Sequence, residues 1–442
     1  MSLRFSFLLS ALAVLSRAQD NVPFFVHLAL SSDPTQMFVS WRTNSSTASA
    51  TVSYGLSPGS LTQLATGSSW SFADSDTGRE YYLHRAAMTG LVPGGRYYYQ
   101  PANAGTVSSF LATRSREQFN TSAPLRIAWL GDLGWSNGQA LPYLLASTEF
   151  DHFTHVGDFA YDLNTQNGLI GDYFQGGVEP ITDSFPYMAC EGNHEAAGGF
   201  QHYANRFAVV SMDNSSTPVD LPGLASTPWN NHWFSYSVGL VHFTVLSTEA
   251  YFNYGSGGAA AVASQYEWAD ADLAAVDRTK TPWVIAYAHR SIYCSCDSDC
   301  DSAATTVRTG KYGLEALFRK HEVDIFINGH EHNYERNYAV YNSKLATGPS
   351  SGQPGGNASN PEVIVNPTAP VYIVEGCAGD VEHHEPFTRA QPAYSAFRSN
   401  TYGYAKMTVF NESALMWEQV QTDDEYPKTT GTVIDAMLLV KS

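Results

Sequence analysis

The sequence predicts a small all-β sandwich followed by a larger α/β domain, and three observations predict it. Residues 19–118 carry short strand-like runs at 24–30, 37–41, 50–54 and 96–99, split by turn clusters such as Ser31-Ser32-Asp33-Pro34 and Val92-Pro93-Gly94-Gly95. That spacing is the signature of an antiparallel sandwich. From residue 123 to 442 the pattern changes, and apolar runs at 125–130, 153–156, 283–286 and 323–327 each stop at a polar block. Such runs read as buried strands that deliver polar residues at their carboxyl ends, where open α/β sheets place their sites. Helical stretches lie between them. Ser264-Gln265-Tyr266-Glu267 has the form of a capping box opening a helix that runs to Ala275. Residues 313–320 read as another helix, 343–367 as a long Gly/Ser/Pro/Asn-rich surface loop, and 114–124 as a polar linker.

The chain has 442 residues, 43% hydrophobic and 15% charged, which is ample material for packed cores. Its formal charge of −18 argues against nucleic acid or anionic membrane as a partner, since both need a basic surface. Residues 1–18 read as a secretion signal: Arg4, an apolar run at 5–15, then Ser16-Arg17-Ala18 with small residues where a signal peptidase reads. The run is shorter than the roughly 20 apolar residues a spanning helix needs. A secreted, extracellular protein without a membrane anchor is therefore expected. Sequons at Asn44, Asn120, Asn214, Asn357 and Asn411 agree with a glycosylated surface. The five cysteines (Cys190, Cys294, Cys296, Cys300 and Cys377) are too few for a disulfide scaffold, and their odd number leaves one unpaired within the chain. A local Cys294–Cys300 disulfide is expected, because Cys296 is too close to Cys294 for an unstrained bridge.

Five blocks carry the chemistry: Gly131-Asp132-Leu133-Gly134, Gly157-Asp158-Phe159-Ala160-Tyr161, Gly192-Asn193-His194-Glu195, Ala286-Tyr287-Ala288-His289 and Gly329-His330-Glu331-His332. Asp132 and Asp158 each follow a buried strand, and two strand-end carboxylates suit a hard cation. Tyr161 bears on which cation: a phenol with a reference pKa near 10 becomes a ligand only beside a strongly Lewis-acidic ion such as Fe(III). Asn193 offers a neutral carbonyl oxygen. His194, beside it, is placed to reach a substrate. His289 ends a strand, and His330 and His332 can reach neighbouring ions if the backbone between them is extended. Singly, each residue has a bland structural reading; jointly, they supply the ligands for two metal ions.

The combination resembles the purple acid phosphatases of the metallophosphoesterase superfamily, whose pattern is DxG, GDxxY, GNH(D/E), VxxH, GHxH. The likeness covers nearly the whole chain after residue 18 and extends to Tyr187-Met188, to residues 329–336 and to Tyr402-Gly403-Tyr404. It implies a fibronectin-type N-terminal sandwich and a metallophosphoesterase α/β sandwich. It also implies that Asp132, Asp158, Tyr161 and His332 hold Fe(III). Asp158, Asn193, His289 and His330 would hold a divalent Zn, Fe or Mn, with Asp158 bridging. The implied activity is acid phosphatase hydrolysis of small phosphate monoesters, with His194 contacting the phosphate and helping to protonate the leaving group. This chain departs from the pattern in three places. Ala286 replaces the fourth-block Val, Ser291 replaces a common Pro, and the loop that carries a further His in plant enzymes holds Asp297, Asp299 and Asp301 instead. The last departure leaves the general acid open. Two other readings stay open: a phosphodiesterase or nucleotide pyrophosphatase on the same metals, and a secreted binding protein without turnover.

Overall fold

The structure is a computed structural model that describes residues 21–46, 49–213, 220–296, 300–422 and 431–442. The expected leader at 1–18, the sequon at Asn214, and Asp297 and Asp299 lie outside the described residues.

Two four-stranded antiparallel sheets form the N-terminal sandwich among the described residues. One orders Phe24–Leu30, Met37–Thr43, Glu80–Met88 and Ser68–Ala73, and the other Gln63–Thr66, Thr51–Gly55, Arg96–Pro101 and Ser108–Leu111. Leu28, Val39, Trp41, Val52, Tyr97, Tyr99 and Phe110 fill the space between them. Four of these strands escape the sequence reading. Ser68–Ala73, for example, is largely exposed, and its alternation of Trp70 and Phe72 with serines is too brief to stand out.

The following domain stacks two mixed sheets face to face. The first runs Tyr187–Cys190, His152–Val156, Leu125–Leu130, Gly403–Asn411, Ala414–Gln421, Thr432–Val440 and Glu362–Val365. The second runs Phe234–Val238, Val241–Val245, Trp283–Tyr287, Ile325–Asn328, Val371–Glu375, Tyr334–Tyr341 and Lys344–Thr347, with Ser395–Ser399 also paired to Tyr334–Tyr341. Trp129, Phe243, Tyr287 and Trp417 interlock at the interface, their ring centroids 5.4–6.2 Å apart. Each such burial stabilises by about 1.5–3 kcal/mol. Helices cover both outer faces: Leu169–Thr182 packs on the first sheet and Gly258–Ala274 and Leu314–Lys320 on the second. Parallel pairing in register (Leu130 with His155, Val156 with Cys190, Tyr287 with Ile327) brings the carboxyl ends of the central strands to one rim.

Three expectations need correction. The helix expected from Ser264 begins at Gly258, so the apparent capping box is interior: Gly258-Ala259-Ala260-Ala261 already propagates helix, and Ser264 points to solvent. The stretch 343–367 is not one loop, because Lys344–Thr347 and Glu362–Val365 are strands, the latter pairing in parallel with Thr432–Val440 and burying Ile364. The linker is also not loose. Arg114 pairs with Asp151 at 2.8 Å and lies over the ring of Phe119, which is buried in the core of the larger domain.

The sandwich is clamped to the larger domain. Arg42 and Arg79 from the sandwich and Arg206 from the other side converge on the buried Asp172, at 2.6, 2.6 and 2.8 Å. His27 Nε2 lies 2.6 Å from the Tyr187 carbonyl, and His202 2.7 Å from Asp74. Strand Phe24–Leu30 is buried on both faces because the chain of helix Leu169–Thr182 covers its second face, with the Thr182 hydroxyl donating to the Val26 carbonyl at 2.7 Å.

Candidate metal centre

All five blocks meet at the rim. Asp132 follows strand Leu125–Leu130, Asp158 follows His152–Val156, and Asn193 follows Tyr187–Cys190. His289 follows Trp283–Tyr287, and His330 and His332 follow Ile325–Asn328. Two groups of donor atoms result, each with its atoms within 4.8 Å of one another: Asp132, Asp158 and His332, and Asp158, His289 and His330. The Asp158 carboxylate belongs to both. The Tyr161 hydroxyl joins the first group, 2.9 Å from His332 Nε2 and 3.3 Å from Asp132 Oδ1. The Asn193 side-chain oxygen joins the second, 3.1 Å from His289 Nε2. His330 and His332 reach different groups without the extended backbone anticipated from their spacing, because His330 is left-handed at φ 71°.

The local backbone explains the glycines. Asp132 and Asp158 adopt φ of 57° and 52°, a region disfavoured for side-chain-bearing residues and tolerated best by Asp and Asn among them. A Cβ at Gly192 would collide with Asp158 Oδ1, and one at Gly329 with Asp132 Oδ2. The outer contacts orient the donors. His289 Nδ1 lies 2.8 Å from the Val156 carbonyl, which turns Nε2 to the centre, and the His330 backbone N–H donates to Asp132 at 2.9 Å. Glu195, fully buried, accepts from the backbone N–H groups of Asp158, Phe159 and Gly192 at 2.9–3.1 Å, tying the second block to the third.

The donor set is carboxylate, imidazole, carboxamide and phenol, and no thiol belongs to either group, which fits iron, zinc or manganese rather than a soft ion. Burial pushes the Tyr161 phenol well above its ordinary value, and the charges of Asp132, Asp158, Asp380 and Glu382 push it further. That phenol becomes an anionic ligand only against a cation strong enough to overcome all of them. Burial would raise the Asp158 carboxyl too, but His289 beside it holds it well below the usual range.

His194 stands at the rim, its side chain one-fifth exposed. Its backbone N–H donates to Asp158 at 2.9 Å, its Nδ1 lies 2.6 Å from Asp162, and its Nε2 lies 3.5 Å from Glu382. Burial alone would lower its pKa; the Asp162 hydrogen bond and the charges of Asp158, Asp162 and Glu195 push it up to about 9.

Comparison with known proteins places this site in a family. Residues 23–121 match the family model described as purple acid phosphatase, N-terminal domain, residues 125–334 calcineurin-like phosphoesterase, and residues 369–436 iron/zinc purple acid phosphatase-like protein C. The chain is 39% identical to acid phosphatase type 7 of Danio rerio, over 95% of this chain and 91% of that one. The chain belongs to the purple acid phosphatase family. The human acid phosphatase type 7 is 35% identical over 96% of this chain and 92% of its own. A solved purple acid phosphatase from yellow lupin seeds superposes with a TM-score of 0.72 at 23% identity, covering 95% of this chain and 75% of that one, and so shares the fold. The expected fold class, a sandwich followed by a metallophosphoesterase domain, and the expected enzyme class of this purple acid phosphatase both stand.

Several residues around the site were not singled out in the sequence. Asp162, next to Tyr161, carries no motif signal of its own. The loop at 380–385 comes from far along the chain: the His332 N–H donates to Glu385 at 3.0 Å, and His384 Nδ1 lies 2.9 Å from the His332 carbonyl. Of the acidic loop after His289, the described Asp301 is exposed and pairs with Arg389 at 2.8 Å. Cys294 and Cys300 are disulfide-linked. Asn44, Asn120 and Asn357 are exposed and Asn411 is half-buried.

Proposed function

We propose that this chain is a secreted, glycosylated purple acid phosphatase that hydrolyses phosphate monoesters at a dinuclear Fe(III)–M(II) centre, M being Zn, Fe or Mn. Asp132, Asp158, Tyr161 and His332 would hold the ferric ion, and Asp158, Asn193, His289 and His330 the divalent one. The single observation that carries this reading is the Asp158 carboxylate shared between two donor groups.

When bound, such a pair supplies Lewis-acid polarisation of the phosphoryl group and makes water acidic enough to act as a nucleophile. The rest falls to side chains. Asp158 keeps the two donor groups at a fixed separation. His194 faces the rim, where Nε2, now 3.5 Å from Glu382, would meet a phosphate oxygen or the leaving oxygen in its place, while Asp162 at Nδ1 fixes the ring. The Asp162 hydrogen bond and the neighbouring carboxylates favour the protonated ring that a proton donor needs.

Metal analysis of purified protein tests the reading together with a chromogenic phosphomonoester assay. Iron and one divalent ion per chain are expected, with Asp132→Ala losing iron and His289→Ala or Asn193→Ala losing the divalent ion. A protein that turns over only diesters points to the phosphodiesterase alternative, and a metal-loaded protein inert to both points to a binding protein.

A further inference from the structure

A second chemical cluster lies behind the ligand hairpin. Cys294, Cys296, Cys300 and Glu331 bring three sulfurs and a carboxylate within 4.8 Å of one another. Cys294 and Cys300 are bonded, and Cys296 stands outside that disulfide and is fully buried. Its Sγ lies 3.2 Å from Cys300 Sγ, in contact with the disulfide. It also lies 2.9 Å from Glu331 Oε2, while Cys294 Sγ lies 3.6 Å from Glu331 Oε1. One carboxylate therefore faces the two sulfurs that compete for Cys300. A buried cysteine is ordinarily inert. The other two cysteines outside the disulfide answer that description: burial pushes the thiols of Cys190 and Cys377 well above their ordinary value. Cys296 differs in having an electrophilic sulfur beside it.

We propose that these three cysteines form a thiol–disulfide exchange site, in which Cys300 is shared between Cys294 and Cys296. In the exchange the Cys296 sulfur, having given up its proton, bonds Cys300 Sγ. The Cys294–Cys300 bond breaks with its electron pair leaving on Cys294, which takes up the proton that Cys296 released. One thiol and one disulfide stand on each side, so no oxidant or reductant is consumed. Cys294 and Cys296 are buried and Cys300 is half-buried, so the attacking and leaving sulfurs are both sheltered from external thiols. The linkage bears on the metal centre by position: Cys294 follows ligand His289 by five residues, and Glu331 lies between His330 and His332. The two linkages thus tether the loop after His289 at different points.

The test is differential alkylation of the folded protein. Samples held at mildly alkaline pH are quenched in acid, where exchange stops, then unfolded and blocked with a maleimide. Reduction and a second alkylating reagent follow. Trypsin releases all three cysteines in the peptide 291–308, and fragment masses show which one carries maleimide. Maleimide is expected on Cys294 in part of the molecules and on Cys296 in the rest, with the Cys294 label lost in Cys296→Ala. Maleimide on Cys296 alone overturns the proposal. So does a Cys294 label that persists in Cys296→Ala, because the exchange requires the Cys296 sulfur.

Discussion

Tyr161 and His194 sit with ring centroids 4.4 Å apart and do different work. Tyr161 is enclosed by carboxylates that oppose its ionisation, so its use as a ligand demands Fe(III), and a phenolate bound to Fe(III) absorbs visible light. The purified protein should be coloured, and Tyr161→Phe should lose the visible band while far-UV circular dichroism is unchanged; an active, colourless, iron-free wild type would falsify the ferric assignment. For His194 the expected mark is dependence on the leaving group. General acids contribute about 10²–10⁴-fold, and poor leaving groups need them most. His194→Ala should therefore lose far more rate on an alkyl phosphate than on a nitrophenyl phosphate, with both metals retained. Asp162→Asn keeps the ring present but weakens its hydrogen bond, and should give a smaller loss with the same selectivity. Equal losses on the two substrates would make His194 a phosphate-binding group only. The ligand candidates were legible in the sequence because each follows a strand, all but His289 in a block that opens on a glycine, and the glycines follow from collisions such as Gly192 with Asp158. Asp162, Glu382 and Glu385 were not legible, since a lone carboxylate in a polar loop gives no sign of what the fold will bring against it.

The strands that deliver ligands were readable because each carries buried apolar residues and stops sharply at a polar block, though Arg126 interrupts the first and two histidines and a threonine the second. Gln63–Thr66, Ser68–Ala73, Glu80–Met88 and Ser108–Leu111 of the sandwich, and Glu362–Val365 inside a Gly- and Pro-rich stretch, were not. Their pairing is decided by partners distant in sequence, as when Glu362 aligns with Met437. The same blindness hid how the sandwich is held. The sequence shows only a polar linker at 114–124, whereas strand Phe24–Leu30 is packed under helix Leu169–Thr182 and Asp172 gathers three guanidinium groups across the seam. Removing that carboxylate leaves Arg42 and Arg206 buried without their main partner. Breaking a buried pair costs about 3–5 kcal/mol, so Asp172→Ala should lower the urea midpoint accordingly. It should also make limited proteolysis near residues 114–120 faster than in the wild type. A variant cut no faster than wild type would mean that other seam contacts, such as Trp70 against Trp229, hold the domains by themselves.

At the scale of the whole molecule, the chain must stay folded at the acid pH implied by its family while carrying many buried titratable groups. Asp172 works in its favour. Burial would raise its carboxyl, but Arg42, Arg206 and Arg79 hold it below the ordinary value, so its contribution is full above about pH 4 and is lost only below that. The buried histidines work the other way. Burial lowers His27 from 6.5 to about 4, and His152 and His155 from 6.5 to about 3. A group whose folded pKa is depressed stabilises above its unfolded pKa, and that stability falls as pH drops toward the folded value. For these three the window opens at about pH 6.5, well before Asp172 matters. His152 offers the cleanest test. Its ring packs edge-on against Tyr236 and Phe243, and neither ring nitrogen has a hydrogen-bond partner among the described residues. Protonating the unfolded chain while this ring stays neutral costs about 2 kcal/mol by pH 5. His152→Phe keeps the aromatic shape and removes the titration. Between pH 7 and pH 5 its unfolding free energy, measured by urea titration, should fall by about 2 kcal/mol less than that of the wild type. Parallel pH profiles for the two proteins would show that His152 takes up its proton in the folded state.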